Sequence, residues 1–245
     1  RSGFVSVQTA ATWRANRIEW VFDILGRMTV GQEQGRTPEK RRRVRKSPEE
    51  RRVEITQAAV RLIGEKGYYG TSLKDVAEAV GMSQPGLLHY IGNKEGLLSM
   101  VLLDSYDVLG SPEEFMRSGL PGSDPERLLF PAYLRYLVRC NARRRELVRL
   151  FIILESEAFG PGHPLHGYFE NRPADIWKRY SAFPWVIPPE MGEWGKTMEP
   201  VVRRCGEAMD GIQIRWMHRP PVDLYDEWLE FEKLIFPSPM WDGYR

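Results

Sequence analysis

Cysteine is scarce in this 245-residue sequence: there are two, Cys140 and Cys205, far apart and in no CxxC pair. That spacing argues against a disulfide framework and a zinc ribbon, and suits a reducing cytoplasm. Nowhere do the roughly 18 successive apolar residues of a membrane-spanning helix occur, so no membrane partner is expected. Alternating polar and apolar runs bounded by hairpin turns are missing, which argues against a sheet protein. There is no HExxH, no glycine-rich phosphate loop and no nucleophile–base pair, so an enzyme is disfavoured and no cofactor is expected. Trp13, Ile18, Val21, Phe22 and Leu25 mark one short amphipathic stretch, but charges interrupt it and no small-residue cleavage site follows, so it is not read as a secretory signal.

What is there suits an ordinary globular protein, with 42% hydrophobic and 28% charged residues. The net charge of +2 conceals an asymmetry. Between Arg36 and Arg52 stand nine Lys or Arg against three Glu, whereas residues 53–245 carry 22 basic and 27 acidic groups. A basic arm on an acidic body seeks a polyanion, although a solvated tail has the same composition. Residues 1–46 are expected to form a disordered basic extension. The first methionine is Met28, and residues 1–27 are expected to lie ahead of the native start.

Helical order is expected from Ser47-Pro48-Glu49-Glu50, where serine caps, proline opens the first turn and Glu50 closes a capping box. Ile55, Ala58, Ala59, Leu62 and Ile63 then recur on one face, with Gly64 and Gly67 permitting a stop. A short helix follows Thr71-Ser72, with Leu73, Val76, Ala77 and Val80 as its stripe. A third runs from Ser83 to about Tyr90, and Asn93 caps a longer fourth through Leu102. Beyond about Pro121 longer helices are expected near 125–141, 144–159, 165–182, 195–217 and 223–236. The reading is all-α: a helical head over 47–96 and a larger helical body over 97–245.

Thr71 to Tyr90 has the spacing of a helix-turn-helix. Ala77 is small where the two helices touch, Gly81 tolerates a left-handed turn four positions later, and Leu87 pins the second helix to the first. The stretch from Ile55 to Leu98 resembles the DNA-binding head of tetracycline-repressor (TetR) family regulators. It does so through Gly67-Tyr68, Thr71-Ser72, Asp75-Val76-Ala77, the Gly81-Met82-Ser83 turn, and Leu87 to Tyr90 leading into Asn93-Lys94-Glu95. Two less specific features, His163-Pro164 with Tyr168-Phe169 and Met209-Asp210-Gly211, are also similar. The resemblance implies a homodimeric transcriptional regulator, usually a repressor, whose C-terminal body binds a small-molecule effector and forms the dimer. An all-α enzyme carrying such a head, or a DNA-binding protein without an effector, are the alternatives.

The recognition segment departs from many relatives in having no Lys or Arg between Ser83 and Asn93, so no basic fork reads guanine from it. Gln84 suits an adenine edge, Leu88 a thymine methyl, and His89 a base or a phosphate, with Ser83, Pro85 and Gly86 in the same first turn. Thr71 and Ser72 are expected to offer hydroxyls and amides to phosphate at a helix start. Tyr90 and Lys94 match positions that the family uses to grip the backbone, and Lys46 ends the basic arm. For the body, Tyr133, Tyr136, Phe151, Glu155, Phe159 and Trp177 fall on the helices that line the family's pocket. His163 and His166, with Glu155 and Glu157 upstream, raise a metal site, but Pro164 and the preceding Gly-Pro run argue for a loop, and no metal is expected. The last two long helices carry more apolar residues than packing on one body requires, which points to a dimer interface there.

Overall fold

The computed structural model describes residues 46–219 and 221–245. The Trp13–Leu25 stretch and the basic run up to Arg45 lie outside the described residues, so of the arm only Lys46 is placed. Lys46 is exposed, with its ammonium group paired to Glu54.

Helix α1, Pro48–Gly70, starts as its sequence dictates: the Ser47 amide donates to Glu50 Oε2 at 2.8 Å and the Glu50 amide to Ser47 Oγ at 3.1 Å. Ile55, Ala59 and Ile63 form its buried face. The helix is broken at Gly67, whose φ of 74° is left-handed. Helix α2, Leu73–Ala79, opens on a second capping box made by Ser72 and Asp75. These bonds to the Ser72 amide and hydroxyl hold the Asp75 carboxyl below the usual range. Helix α3, Gln84–Ile91, follows a tight turn in which the Gly81 amide donates to the Glu78 carbonyl (3.1 Å) and the Met82 amide to the Ala77 carbonyl (2.9 Å). This pair of bonds around a left-handed glycine is a Schellman closure, and Gly81 has φ 63°. Buried Val76, Ala77, Leu87 and Ile91 lock α2 and α3 together.

Helix α4, Lys94–Val101, runs on into a π-helical turn over Leu102–Tyr106, closed by the Asp107 amide on the Leu102 carbonyl at 2.9 Å. The expected head–body boundary at residue 96 thus falls inside α4. Helix α5, Pro112–Arg117, is followed by α6, Phe130–Ala142, α7, Arg145–Glu157, and α8, His166–Tyr180. After α8 come the short α9, Trp194–Thr197, and the long α10, Glu199–His218, and α11, Leu224–Ile235. Among the described residues the all-α reading holds but for one parallel pair of two-residue strands, β1 Leu128–Leu129 and β2 Trp185–Val186. Two residues are too few to carry an alternating pattern. Phe130, Tyr133, Trp185 and Trp194 cluster beside this pair, with Phe130 in edge contact with both tryptophans. A single hydrophobic cluster runs from Ile55 in the head to Trp241 near the C-terminus.

Candidate nucleic-acid interface and body cavity

Helix α3 presents one turn to solvent. Ser83 caps it, its hydroxyl accepting from the Gly86 amide at 3.2 Å, and Ser83, Gln84, Pro85 and His89 are exposed. Pro85 occupies the first turn, where an amide hydrogen has no helical partner to lose. Gly86, Leu88 and Tyr90 are half-buried on the flanks, and the Tyr90 ring meets His89 edge-on at 5.8 Å. Of these seven residues, Ser83, Gln84, Pro85 and His89 are open to solvent.

Two expected phosphate contacts are employed elsewhere. Thr71 is only 1% exposed, and its hydroxyl donates to the Gly67 carbonyl at 2.9 Å. The expectation that Thr71 presents a hydroxyl to DNA is therefore corrected: it closes the end of α1, and of the two hydroxyl residues Ser72 is the exposed one. Lys94 holds its ammonium over the Tyr68 ring, 4.3 Å from the centroid. Burial lowers its pKa, and the nearby Glu157 carboxylate opposes that shift.

The head meets the body at the break in α1. Because Gly67 is left-handed and has no Cβ, the Glu157 carboxylate at the end of α7 enters the space beside it; a Cβ there would lie 2.1 Å from Glu157 Oε1. Glu157 Oε2 accepts the Tyr68 amide at 2.8 Å. His163, buried, stands edge-on to Tyr68 (5.3 Å) and to Tyr69 (5.5 Å). Its Nδ1 accepts the Leu165 amide at 3.1 Å, while His166 Nδ1 bonds the Ala158 carbonyl at 2.9 Å. One nitrogen of each ring is thus bonded within a local turn, while His163 Nε2 is buried without a hydrogen-bond partner; no group of three His, Cys, Asp or Glu among the described residues is arranged to hold a metal ion.

Within the body, α6, α7, α8 and α10 enclose a cavity of about 140 Å³. Tyr133 and Phe151, expected from the sequence, line it. The other four do not. Phe159 is 79% exposed, beyond the end of α7. Trp177 stacks on Trp194 at 6.0 Å. Tyr136 packs on Phe115 and donates to Glu114 at 3.5 Å. Glu155 is absent from the lining, though its charge raises the carboxyl of Asp210, which lines the cavity. Helical spacing identifies the right elements, but it does not tell which side of each faces inward.

The cavity instead gathers polar groups that the sequence reading passed over. The π-helical turn delivers Tyr106 and Asp107 to its wall. Arg172 Nη1 donates to Asp107 Oδ1 at 2.8 Å, Tyr168 donates to Asp107 Oδ2 at 2.8 Å, and the Arg172 guanidinium covers the Phe151 ring at 4.8 Å. Arg144 is buried and spends its donors on Asn141 Oδ1 and the Tyr106 carbonyl.

Asp210 on α10 also lines the cavity. Burial and the charge of Glu155 push its carboxyl up to about 7, against the attraction of Arg172. Folding therefore requires a proton to stay on Asp210 at pH values where the unfolded chain releases it. This penalty is absent below about pH 4, grows as the pH rises toward 7, and is constant above. Asp210→Asn, which needs no proton, is expected to raise Tm by an amount that increases over that window and then levels off. A gain in Tm that is the same at every pH counts against the buried acid.

An exposed turn on α3, a locked two-helix unit and a helical body with a cavity make up a helix-turn-helix head on an all-helical body. Residues 55–101 match the family described as bacterial regulatory proteins, tetR family. The HTH-type transcriptional repressor KstR2 of Rhodococcus jostii (strain RHA1) is similar, 34% identical over 73 residues, covering 29% of this chain and 35% of that protein. The HTH-type transcriptional regulator HbdR of Aromatoleum sp. (strain CIB) is 37% identical over 62 residues, covering 24% of this chain and 27% of that one. The chain thus spans about a third or less of the curated relatives it matches. Solved structures resemble it over a longer stretch. The fatty acid degradation regulator FadR of Bacillus halodurans superposes with TM-score 0.52 at 20% identity, covering 80% of this chain and 100% of that one. Salmonella enterica GusR also gives 0.52, at 19% identity, covering 78% of this chain and 97% of that one. At these identities the likeness concerns the fold.

Proposed function

We propose that this protein is a transcriptional regulator, a repressor that binds a palindromic operator as a homodimer and leaves it when a small molecule enters the body. The observation that carries the reading is the exposed first turn of α3, with Gln84 and His89 pointing outward from a helix fixed by Leu87 and Ile91. The repressor assignment draws on KstR2, named as such and matched over 35% of its length. The effector site is assigned to the cavity beside Tyr106, Phe151 and Asp210, which at about 140 Å³ is the size that takes a benzene-sized molecule. A larger effector would have to open it.

Half-sites one helical turn apart must meet two recognition helices about 34–36 Å apart, so a shift of a few ångströms in head position breaks the register. Selection of bound fragments from random duplex DNA, followed by sequencing, tests the reading directly: enrichment of one inverted repeat supports it. Gln84→Ala is expected to weaken binding to that repeat by roughly 1–3 kcal/mol and to leave binding to random DNA almost unchanged. Equal losses on both would reassign Gln84 to phosphate contact.

A further inference from the structure

Helix α7 connects the cavity to the head. Phe151 stands in the cavity wall, and Glu157, six residues on and about 9 Å further along the axis, ends at Gly67. No other pair of described elements shares as wide a contact as α1 and α7. Packing of apolar side chains along two helices tolerates sliding; one directional bond does not. At this junction the directional bond is Glu157 Oε2 to the Tyr68 amide, 2.8 Å. That amide comes directly after a residue with φ 74°, so ordinary helical hydrogen bonding has already been broken there.

Three further features converge on the same joint. Its second oxygen occupies the place of the missing Gly67 side chain. The Lys94 ammonium, on the first turn of α4, lies over the Tyr68 ring and within the field of Glu157. Tyr69 donates to the Gly162 carbonyl at 3.5 Å, so the loop after α7 touches the same turn of the head. The start of α4 leads back, through the Asn93 cap, to α3. A carboxylate on the body thus holds the break in α1 and faces the cation that begins the helix after the recognition helix.

We propose that Glu157 is a positioning residue for DNA recognition: by gripping the α1 break it fixes the angle of the head on the body, and through it α7 passes a change at the cavity to α3. This rests on the reading of the protein as an operator-binding dimer. The consequence is a fixed distance between the two recognition helices, which is read as selectivity for half-site spacing.

The test uses the full chain and three operators: the selected inverted repeat, and the same repeat with one base pair added to or removed from its centre. Wild type is expected to prefer the selected spacing. Glu157→Ala frees the break and is expected to reduce that preference at least about tenfold toward unity. Glu157→Gln keeps an acceptor for the Tyr68 amide and is expected to retain most of it. Gly67→Ala, whose Cβ displaces the carboxylate, is expected to behave like Glu157→Ala, with circular dichroism checking that both stay folded. If Glu157→Ala lowers affinity for all three operators by the same factor, the residue is merely structural and the proposal is overturned. Should Glu157→Ala fail to fold, Gly67→Ala decides: loss of the spacing preference supports the role, and the full wild-type preference overturns it. A wild type that selects no inverted repeat overturns the operator reading itself, and the role of Glu157 with it. A wild type that selects one, beside a Glu157→Ala variant equally selective, overturns the role alone.

Discussion

Deleting residues 1–45 is expected to weaken binding to every DNA sequence, to flatten its dependence on salt, and to leave the preferred operator unchanged. The segment from Arg36 to Arg45 contains six basic residues against Glu39 alone. Each phosphate that they neutralise releases a counterion and adds close to one unit to the slope of log affinity against log salt. Six such contacts correspond to a slope change of about 5, or roughly three decades of affinity between 50 and 200 mM salt. The head cannot supply this. Residues 53–100 hold four basic and five acidic groups. Of the four, Lys94 lies on Tyr68, and Lys74 stands 3.8 Å from Glu78. Affinity measured at several salt concentrations decides the matter: a slope unaltered by the deletion shows that the arm makes no contact.

Loss of the proposed dimer is the second large effect expected. Of the apolar residues on α10 and α11 that the sequence offers for an interface, Met198, Val202, Met209, Trp216, Leu224 and Trp228 are consumed by the protomer's own core. What remains exposed is narrower: Ile214 on α10, 44% exposed, and Leu234 on α11, 79% exposed. Half-buried Ile212, a natural first choice for disruption, packs on the core, so a charge there would disturb both. Ile214→Glu with Leu234→Glu is expected to give monomers of unchanged helical content. A monomer engages one half-site and forfeits the effective concentration of the second, a loss of about two to four orders of magnitude in operator affinity. Sedimentation of the double variant settles it: a protein that remains dimeric has its interface elsewhere.

These expectations differ in how directly they follow from the sequence. The head is almost fully legible because its signals are local. Ser47-Glu50 and Ser72-Asp75 state their capping boxes, and Ala77 with Gly81 states the turn. The break at Gly67 was visible only as permission to stop; its partner, Glu157, lies about 90 residues away, and no local pattern connects the two. In the body, periodicity locates α6, α7, α8, α10 and α11 to within a few residues but leaves their rotation undecided. Tyr133 and Phe151 face the cavity, while Phe159 and Trp177 do not. The π-helical turn, which rotates Tyr106 and Asp107 into the cavity wall, inserts a residue that helical counting does not anticipate. Thr71 fails for another reason: a helix start satisfies its own chain before it serves a ligand.

The single core that joins Ile55 to Trp241 has a bearing on how such regulators can be recombined. A cut between residues 96 and 97 would divide α4 and separate Gly67 from the glutamate that fills its missing side chain. A head transplanted onto a foreign body would arrive with an unpaired amide at Tyr68 and an empty notch beside it. Shuffling heads and bodies to pair a new operator with a new inducer should therefore succeed only when the donor body carries an acceptor at the end of the helix corresponding to α7. Exchange of Gly67, Tyr68, Lys94 and Glu157 as one set defines the smallest transplant that keeps the joint intact.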